Sequence, residues 1–172
     1  MKEMMIGLPA ILILAALTTA LAVAAYGAIR NRGRLSACNV GEGTHAGGVT
    51  RKTDAAIATR HLLVKVGSDA SHVAACGASE VPIGTVPDEA SAAEENVEVA
   101  LLGCAPSTRK MVASEAIDAG EKVYTAASGK VQDLPAGAGT YYCVGTALTP
   151  ASADGDVIEV DPAPAQKEVV SG

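Results

Sequence analysis

The chain has 172 residues, a formal net charge of −6, and four tyrosines as its only aromatic residues. The acidic balance argues against a nucleic-acid-binding surface, which would need a basic face. The residues after the apolar N-terminal run suffice for one ordinary domain. Because Phe and Trp are absent, the core must consist of Val, Ile, Leu and Ala. Such a core is thin, so we expect stabilisation by self-association, with a trimer as the predicted oligomer.

An uncharged run from Met4 to Ile29 is followed at once by Arg30, Arg32 and Arg34. A helix of that length reaches about 39 Å and could cross the roughly 30 Å hydrocarbon core of a bilayer. Residues 1–34 are therefore predicted to form an apolar, transmembrane-like helix with a basic flank. The positive-inside rule then places the C-terminal domain in the cytoplasm, at a bacterial inner membrane. Two other interpretations stay open: a hydrophobic element buried in a virion, and an upstream extension absent from the mature protein.

Residues 35–60 are rich in Gly and Thr and lack a hydrophobic period, which predicts an extended arm. We expect this arm to lie on a neighbouring subunit, where its backbone pairs with an exposed strand edge and its basic residues supply orientation. The candidate contact residues of the arm are Asn39, Thr44, His45, Thr50, Arg51, Lys52 and Arg60.

Residues 61–162 contain short apolar runs bounded by turn residues, and several runs alternate apolar and polar side chains, as Asn96–Leu102 does. Alternation with a period of two is typical of strands that bury one face. We predict a mainly β domain, a small barrel or sandwich of roughly eight to ten short strands. Residues 163–172 are predicted to form a flexible tail. The predicted order is thus an apolar helix, an extended arm, the β domain and the tail.

The β domain carries an internal duplication. A Gly-Thr pair and a following Ala-Ser-Ala tripeptide recur with nearly the same spacing in two places. Recurrence at fixed spacing is the signature of a repeated supersecondary unit. We predict that Leu62–Gly103 and Glu121–Asp161 are two related β units. The predicted equivalent pairs are Gly84 with Gly145, Val99 with Val160, and the hairpin segments 63–66 and 72–74 with 122–125 and 130–132.

The four cysteines are widely separated and include no CxxC pair, so no zinc site is predicted. Three of them lie in apolar, strand-like contexts and are predicted to be buried, reduced thiols. An even count would also permit two disulfides in an oxidising compartment. The cysteines are Cys38, Cys76, Cys104 and Cys143, of which the last three are predicted to be buried.

No catalytic, cofactor-binding or metal-binding residue is predicted. The histidines His45, His61 and His72 have no nucleophile or carboxylate at a spacing that local structure would bring together, so we interpret them as ordinary surface residues. The acidic loop around Asp88 and Glu94 lacks the regular ligand spacing of a calcium loop.

Several strand and turn segments, in this order, resemble the capsid decoration or cement proteins of tailed bacteriophages. The resemblance covers about Arg60 to Pro162 and implies a small, noncatalytic β protein that binds the outside of an assembled phage head. It further implies the major capsid protein as partner, an oligomeric state, and a place on the capsid surface of the virion. The apolar N-terminus departs from that family pattern. The segments are 97–103, 116–124, 129–131, 144–148 and 153–160.

The alternative function is a membrane-anchored or pilin-like filament subunit with a β head domain. In that case Met4 to Ile29 would contact a membrane or pack in a filament core. Pro9 and the arginine cluster are compatible with it, but no processing site with a preceding basic leader is present.

Overall fold

The computed structural model describes residues 47–104 and 107–171. In this part of the chain, short strands follow one another with one 3-10 turn, at Ala127–Gly129. The strands are β1 Gly48–Thr53, β2 Leu62–Val66, β3 His72–Ala75, β4 Gly84–Val86, β5 Asn96–Leu101, β6 Arg109–Val112, β7 Lys122–Thr125, β8 Val131–Gln132, β9 Gly139–Ala147 and β10 Val157–Val170. The mainly β fold predicted from the sequence is confirmed.

The first five strands form a closed barrel in the order β1-β3-β2-β4-β5. Antiparallel pairing of β1 with β5 and a short parallel pairing of β1 with β3 close it. The alternation expected in β5 is present, because Val97 and Val99 are buried while Glu98 between them is exposed. This barrel therefore encloses a core made of one face of each strand.

The last five strands form a sheet in the order β6-β10-β9-β7-β8. An isolated parallel bridge between Ala113 and Val131 brings its two outer strands together. The first barrel has the same contact, because Thr53 pairs in parallel with Val73. We therefore call this sheet the second barrel.

The two barrels repeat one pairing scheme, which confirms the predicted duplication. Thr85 pairs with Ala100 in the first barrel, and Thr146 pairs with Asp161 in the second. This common register makes Gly84 equivalent to Gly145 and Val99 equivalent to Val160. The isolated bridges correspond as well, Ile57 with Ala90 and Ile117 with Ala151.

The two cores meet at β6. Met111 belongs to the core of the second barrel, and the adjacent Val112 packs into the core of the first. Leu63 of β2 in turn lies in the core of the second barrel. The amide of Gly129 donates to the carbonyl of Cys76 at 2.6 Å across the same seam. Strands of each barrel thus contribute directly to the packing of the other.

Two predicted boundaries differ from the structure. The part of the predicted arm within the described residues is barrel strand, because β1 is paired along Gly48–Thr53 and both Thr53 and Ile57 are buried. The predicted tail is largely strand, because β10 continues to Val170 against the N-terminal half of β9. A bulge between Pro162 and Gln166 accommodates the prolines that interrupt the pattern.

The thiols of Cys76 and Cys143 are free and buried as predicted, whereas Cys104 is exposed because it follows the end of β5 in the connection between the barrels. Burial raises the pKa of the Cys76 thiol to about 12. The predicted helix at 1–34 and the arm residues Asn39, Thr44 and His45 lie outside the described residues. Within the described ranges, no helix has the length and apolar character needed to cross a membrane.

Candidate functional site

The predicted contact residues that the structure describes are already engaged within the chain. Lys52 lies 2.8 Å from a carboxylate oxygen of Glu94, which raises the pKa of the lysine. Arg60 lies within 3.9 Å of carboxylate oxygens of two loop residues, Asp88 and Glu89. Arg51 is half-buried and donates Nη1 to the carbonyl oxygen of Thr50 at 2.9 Å. The charges of Lys52 and Arg60 are therefore largely compensated by carboxylates, whereas Arg51 contacts a neutral carbonyl oxygen.

His72 contradicts the interpretation as an ordinary surface histidine. Its Nδ1 lies 2.8 Å from Asp69 Oδ1 and its Nε2 lies 3.0 Å from Glu94 Oε1, and its side chain is only 13% exposed. Asp69 stands three residues earlier in the turn, so the sequence held a signal for this contact that went unrecognised. Glu94 comes from the distant β4–β5 loop, and only the closed barrel brings it to His72.

Electrostatics in this cluster are mutually reinforcing. The hydrogen bond to Asp69 and, as a smaller contribution, the hydrogen bond to Glu94 raise the pKa of His72. Hydrogen bonding from His72 and then from Ser71 holds the pKa of Asp69 well below its ordinary value. Lys52 and then His72 lower the pKa of Glu94. The arrangement is an ion-pair cluster, and the Ser71 hydroxyl joins it 3.1 Å from His72 Nδ1 while donating to Asp69 Oδ1 at 2.6 Å.

A groove of about 270 Å³ runs along the seam between the barrels, with charges of both signs in its lining. His61 stands at its edge with a left-handed backbone, φ 66°. Burial lowers the pKa of His61, and the positive charges of the nearby Lys110 and Arg60 lower it further. Arg109 Nε is buried there without a hydrogen-bond partner among the described residues. The lining consists of His61, Thr85, Pro87, Glu98, Ala100, Thr108, Arg109 and Lys110.

The second barrel carries an extension that the first lacks. Strands β9 and β10 are longer than their equivalents β4 and β5, and Gly139–Cys143 pairs with Gln166–Val170 beyond the repeated register. We call these two segments the ribbon. Beside β10 in this sheet, β6 pairs only with Val157–Val160, so no described strand pairs with the outer edge of Gln166–Val170. The ribbon thus presents backbone hydrogen-bonding groups on one edge.

The tyrosines of the described residues gather at this ribbon. Tyr141 and Tyr142 are half-buried on β9, and Tyr124 on the adjoining β7 donates its hydroxyl to Glu168 Oε2 at 3.2 Å. Burial raises the pKa of Tyr124 to about 12. Val169 is 64% exposed, the largest value among the exposed large hydrophobic residues. This surface was not predicted from the sequence, although the adjacent tyrosines Tyr141 and Tyr142 were a visible signal.

No group of three or more His, Cys, Asp or Glu residues that could hold a metal ion occurs in ranges 47–104 and 107–171. In the ion-pair cluster around His72, Ser71 Oγ and Asp69 Oδ1 both lie within hydrogen-bond distance of the same ring nitrogen, Nδ1, at 3.1 and 2.8 Å. The described surfaces offer charged side chains, an open strand edge and half-buried tyrosines.

Comparisons with known proteins agree with this architecture. A family profile described as phage cement protein matches residues 41–162. No curated protein matches the chain. Among solved structures, the N-terminal base of the head fiber gp8.5 in bacteriophage phi29 is similar, with a TM-score of 0.52 and 15% sequence identity. The alignment covers 70% of this chain and 97% of the fiber base, and at that identity it shows a shared fold.

Proposed function

The chain belongs to the phage cement protein family, and we propose that it contacts the outside of an assembled capsid through the ribbon. Membership makes it a structural, capsid-binding phage protein. The observation that carries this function is the extent of the match, because residues 41–162 span both barrels. The membrane-anchored and pilin-like alternatives receive no support from the comparisons. We place the protein on the virion surface, with the major capsid protein as its partner.

Three properties of the ribbon support its role as the contact surface. Tyrosine is enriched at protein interfaces because it offers a large contact area with a polar tip. An open strand edge can add affinity through backbone pairing with a partner strand. A two-stranded ribbon is marginal by itself and gains stability when a further strand or surface covers it. The exposed side chain of Val169 would be buried by such a partner.

A second, orienting contact is proposed for the basic residues predicted from the sequence. Thr50 and Lys52 are exposed on β1, and Arg60 is exposed in the loop that follows. Because Lys52 and Arg60 already pair with carboxylates, their contribution to affinity should be modest and should weaken as salt screens it. Asn39, Thr44 and His45 complete the predicted arm, and their role stays a prediction.

We also propose that the protein assembles as a trimer. The two cores contain Val, Ile, Leu, Ala, Met and Cys, with no large aromatic side chain in either cluster. A thin core of this kind leaves a small margin of stability, which burial of surface between copies would increase. Native mass spectrometry of the full chain over a range of concentrations tests the trimer. A mass of one chain at all concentrations would contradict it.

The ribbon is tested with capsids assembled without the cement protein. Full-length wild type and Val169→Lys are mixed with such capsids, and bound protein is quantified by co-sedimentation. We expect Val169→Lys to weaken binding at least about tenfold, because a charged side chain would be forced into a buried contact. Val157→Lys is the matched control, since Val157 lies on the same strand outside the ribbon and is 52% exposed.

Unchanged occupancy by Val169→Lys would show that the ribbon does not contact the capsid. Loss of binding by Val157→Lys alone would move the contact to the outer face of the second barrel. Failure of wild type itself to bind any capsid of its own phage would overturn the proposed function.

A further inference from the structure

The two ring nitrogens of His72 both face carboxylate oxygens. Nδ1 lies 2.8 Å from Asp69 and Nε2 lies 3.0 Å from Glu94. An ionised carboxylate only accepts hydrogen bonds, and a neutral imidazole has a single N–H to donate. Both contacts are hydrogen bonds only when the ring carries two protons. The geometry is therefore that of an imidazolium held between two carboxylates.

This imidazolium joins three elements at the point where the first barrel closes. His72 begins β3 and pairs in register with Lys52 of β1. Asp69 belongs to the β2–β3 turn, and Glu94 belongs to the loop that leads into β5. Lys52 faces the same cluster through its contact with the other oxygen of Glu94. The parallel pairing of β1 with β3 has two register pairs, and the side-chain contacts of His72 add to the backbone hydrogen bonds from Lys52 to Ser71 and from Asp54 to Val73.

The second barrel has an equivalent contact made from different chemistry. Thr125 pairs with Val131 as Val66 pairs with Val73, so Lys130 occupies the position of His72. Lys130 Nζ lies 2.5 Å from Asp154 in the loop that leads into β10. A lysine keeps its charge throughout the neutral range, whereas a histidine does not. The duplication thus places a permanent cation at one closure and a titratable cation at the other.

We propose that His72 is a pH-sensitive latch on the first barrel, which as imidazolium ties β3 to the loop before β5 and loosens β1 when it loses a proton. Deprotonation removes one N–H and the positive charge between the two carboxylates. The Ser71 hydroxyl lies 3.1 Å from Nδ1 and can donate to the lone pair left there, so the contact between Nε2 and Glu94 weakens through the loss of charge. The second barrel, with Lys130 in that place, stays closed over the same pH range.

The direction of the pH dependence follows from the cluster. The pKa of His72 is higher in the folded chain than in the unfolded chain. Protonated His72 therefore stabilises the fold fully at pH values below its unfolded pKa, and this stabilisation is lost as the pH rises through its folded pKa. The pKa values of Asp69 and Glu94 are lowered, so both carboxylates are ionised across that range. The latch is therefore closed at mildly acidic pH and opens on the alkaline side.

Amide exchange measured by NMR on the full chain tests the latch, because the duplication supplies matched reporters. In the first barrel the amide of Asp54 donates to Val73 and the amide of Glu94 donates to Thr53. Their equivalents in the second barrel are the amide of Ser114, which donates to Val131, and that of Gly155, which donates to Ala113. Comparing equivalent amides removes the common pH dependence of exchange chemistry.

From about pH 5.5 to about pH 9, protection of the first-barrel amides should fall relative to their second-barrel equivalents. His72→Lys, which copies Lys130, should abolish that relative fall, and His61→Gln should leave it unchanged. In the wild-type protein, the ring resonances of His72 should titrate with a pKa above the ordinary histidine value, and this measurement needs no variant. A constant protection ratio in wild type, or a His72 titration at or below 6.5, would overturn the proposal.

Discussion

Gly84 and Gly145 occupy the same position in the two barrels, and both lie too close to the opposing strand for a side chain. A Cβ on Gly84 would stand 2.5 Å from the carbonyl oxygen of Ala100. A Cβ on Gly145 would overlap the carbonyl oxygen of Asp161, the equivalent residue. The recurring Gly-Thr pair in the sequence therefore reflects one steric requirement that each copy of the fold imposes.

Substitution of either glycine by alanine should destabilise the protein. Because the obstructing atoms are backbone, they cannot move as a flexible side chain would, and forced shifts of this kind cost about 1–3 kcal/mol or more. Chemical denaturation of Gly84→Ala and Gly145→Ala measures the loss. Gly137→Ala is the control, since a Cβ on Gly137 would have nothing within 4 Å. Equal stability of all three variants would refute the steric explanation.

Gly129→Ala should weaken the seam between the barrels. Gly129 has φ 76°, and a Cβ there would stand 2.6 Å from the carbonyl oxygen of Leu63 in the other barrel. The left-handed backbone alone costs an alanine roughly 1–2 kcal/mol. Gly120→Ala separates the two causes, because Gly120 has φ 95° with nothing within 4 Å. We expect a larger fall in melting temperature for Gly129→Ala, and equal falls would exclude a steric role at the seam.

Leu63→Ala should destabilise both barrels together. Leu63 is fully buried and belongs to β2 of the first barrel, yet its side chain packs in the core of the second. Truncation of a buried leucine costs about 2–5 kcal/mol. Urea unfolding followed by tyrosine fluorescence and by circular dichroism should show one shifted transition. Leu134→Ala, at a site 41% exposed, should have little effect, and two separated transitions in Leu63→Ala would mean that the barrels unfold independently.

Acid should weaken the contact that joins β2 to the loop before β4. Lys65 Nζ lies 2.6 Å from Glu80 Oε1, and the amide of Gly77 donates to the other oxygen of Glu80 at 2.8 Å. The hydrogen bond from Lys65 and, as a smaller contribution, the one from the Gly77 amide lower the pKa of Glu80. Ionised Glu80 therefore stabilises the fold fully at pH values above the unfolded pKa of glutamate. This stabilisation is lost as the pH falls through the lowered pKa of Glu80 in the folded chain. Melting temperature followed from neutral to acidic pH should fall less steeply in Glu80→Gln than in wild type, and parallel curves would contradict this assignment.

The first strand of the first barrel was missed for an identifiable reason. Arg51 occupies the position that the buried Met111 has in the second barrel. A charged residue at that position hides the alternation of β1 and favours the prediction of an exposed arm. The long last strand was missed because Pro162 and Pro164 interrupt it, although a bulge accommodates them. In both cases tertiary pairing overrode a local signal.

The β class, the duplication and the equivalence of Gly84 with Gly145 could be predicted from the chain alone, because they depend on local alternation and on spacing along it. The residues that meet across the barrel closures and the seam could not. His72 meets Glu94, and Leu63 enters the core of the second barrel. Such contacts join residues from separate strands and loops, and their geometry exists only after strand order, register and closure are fixed. Closure itself arises from the summed pairing of many residues, which no single motif encodes.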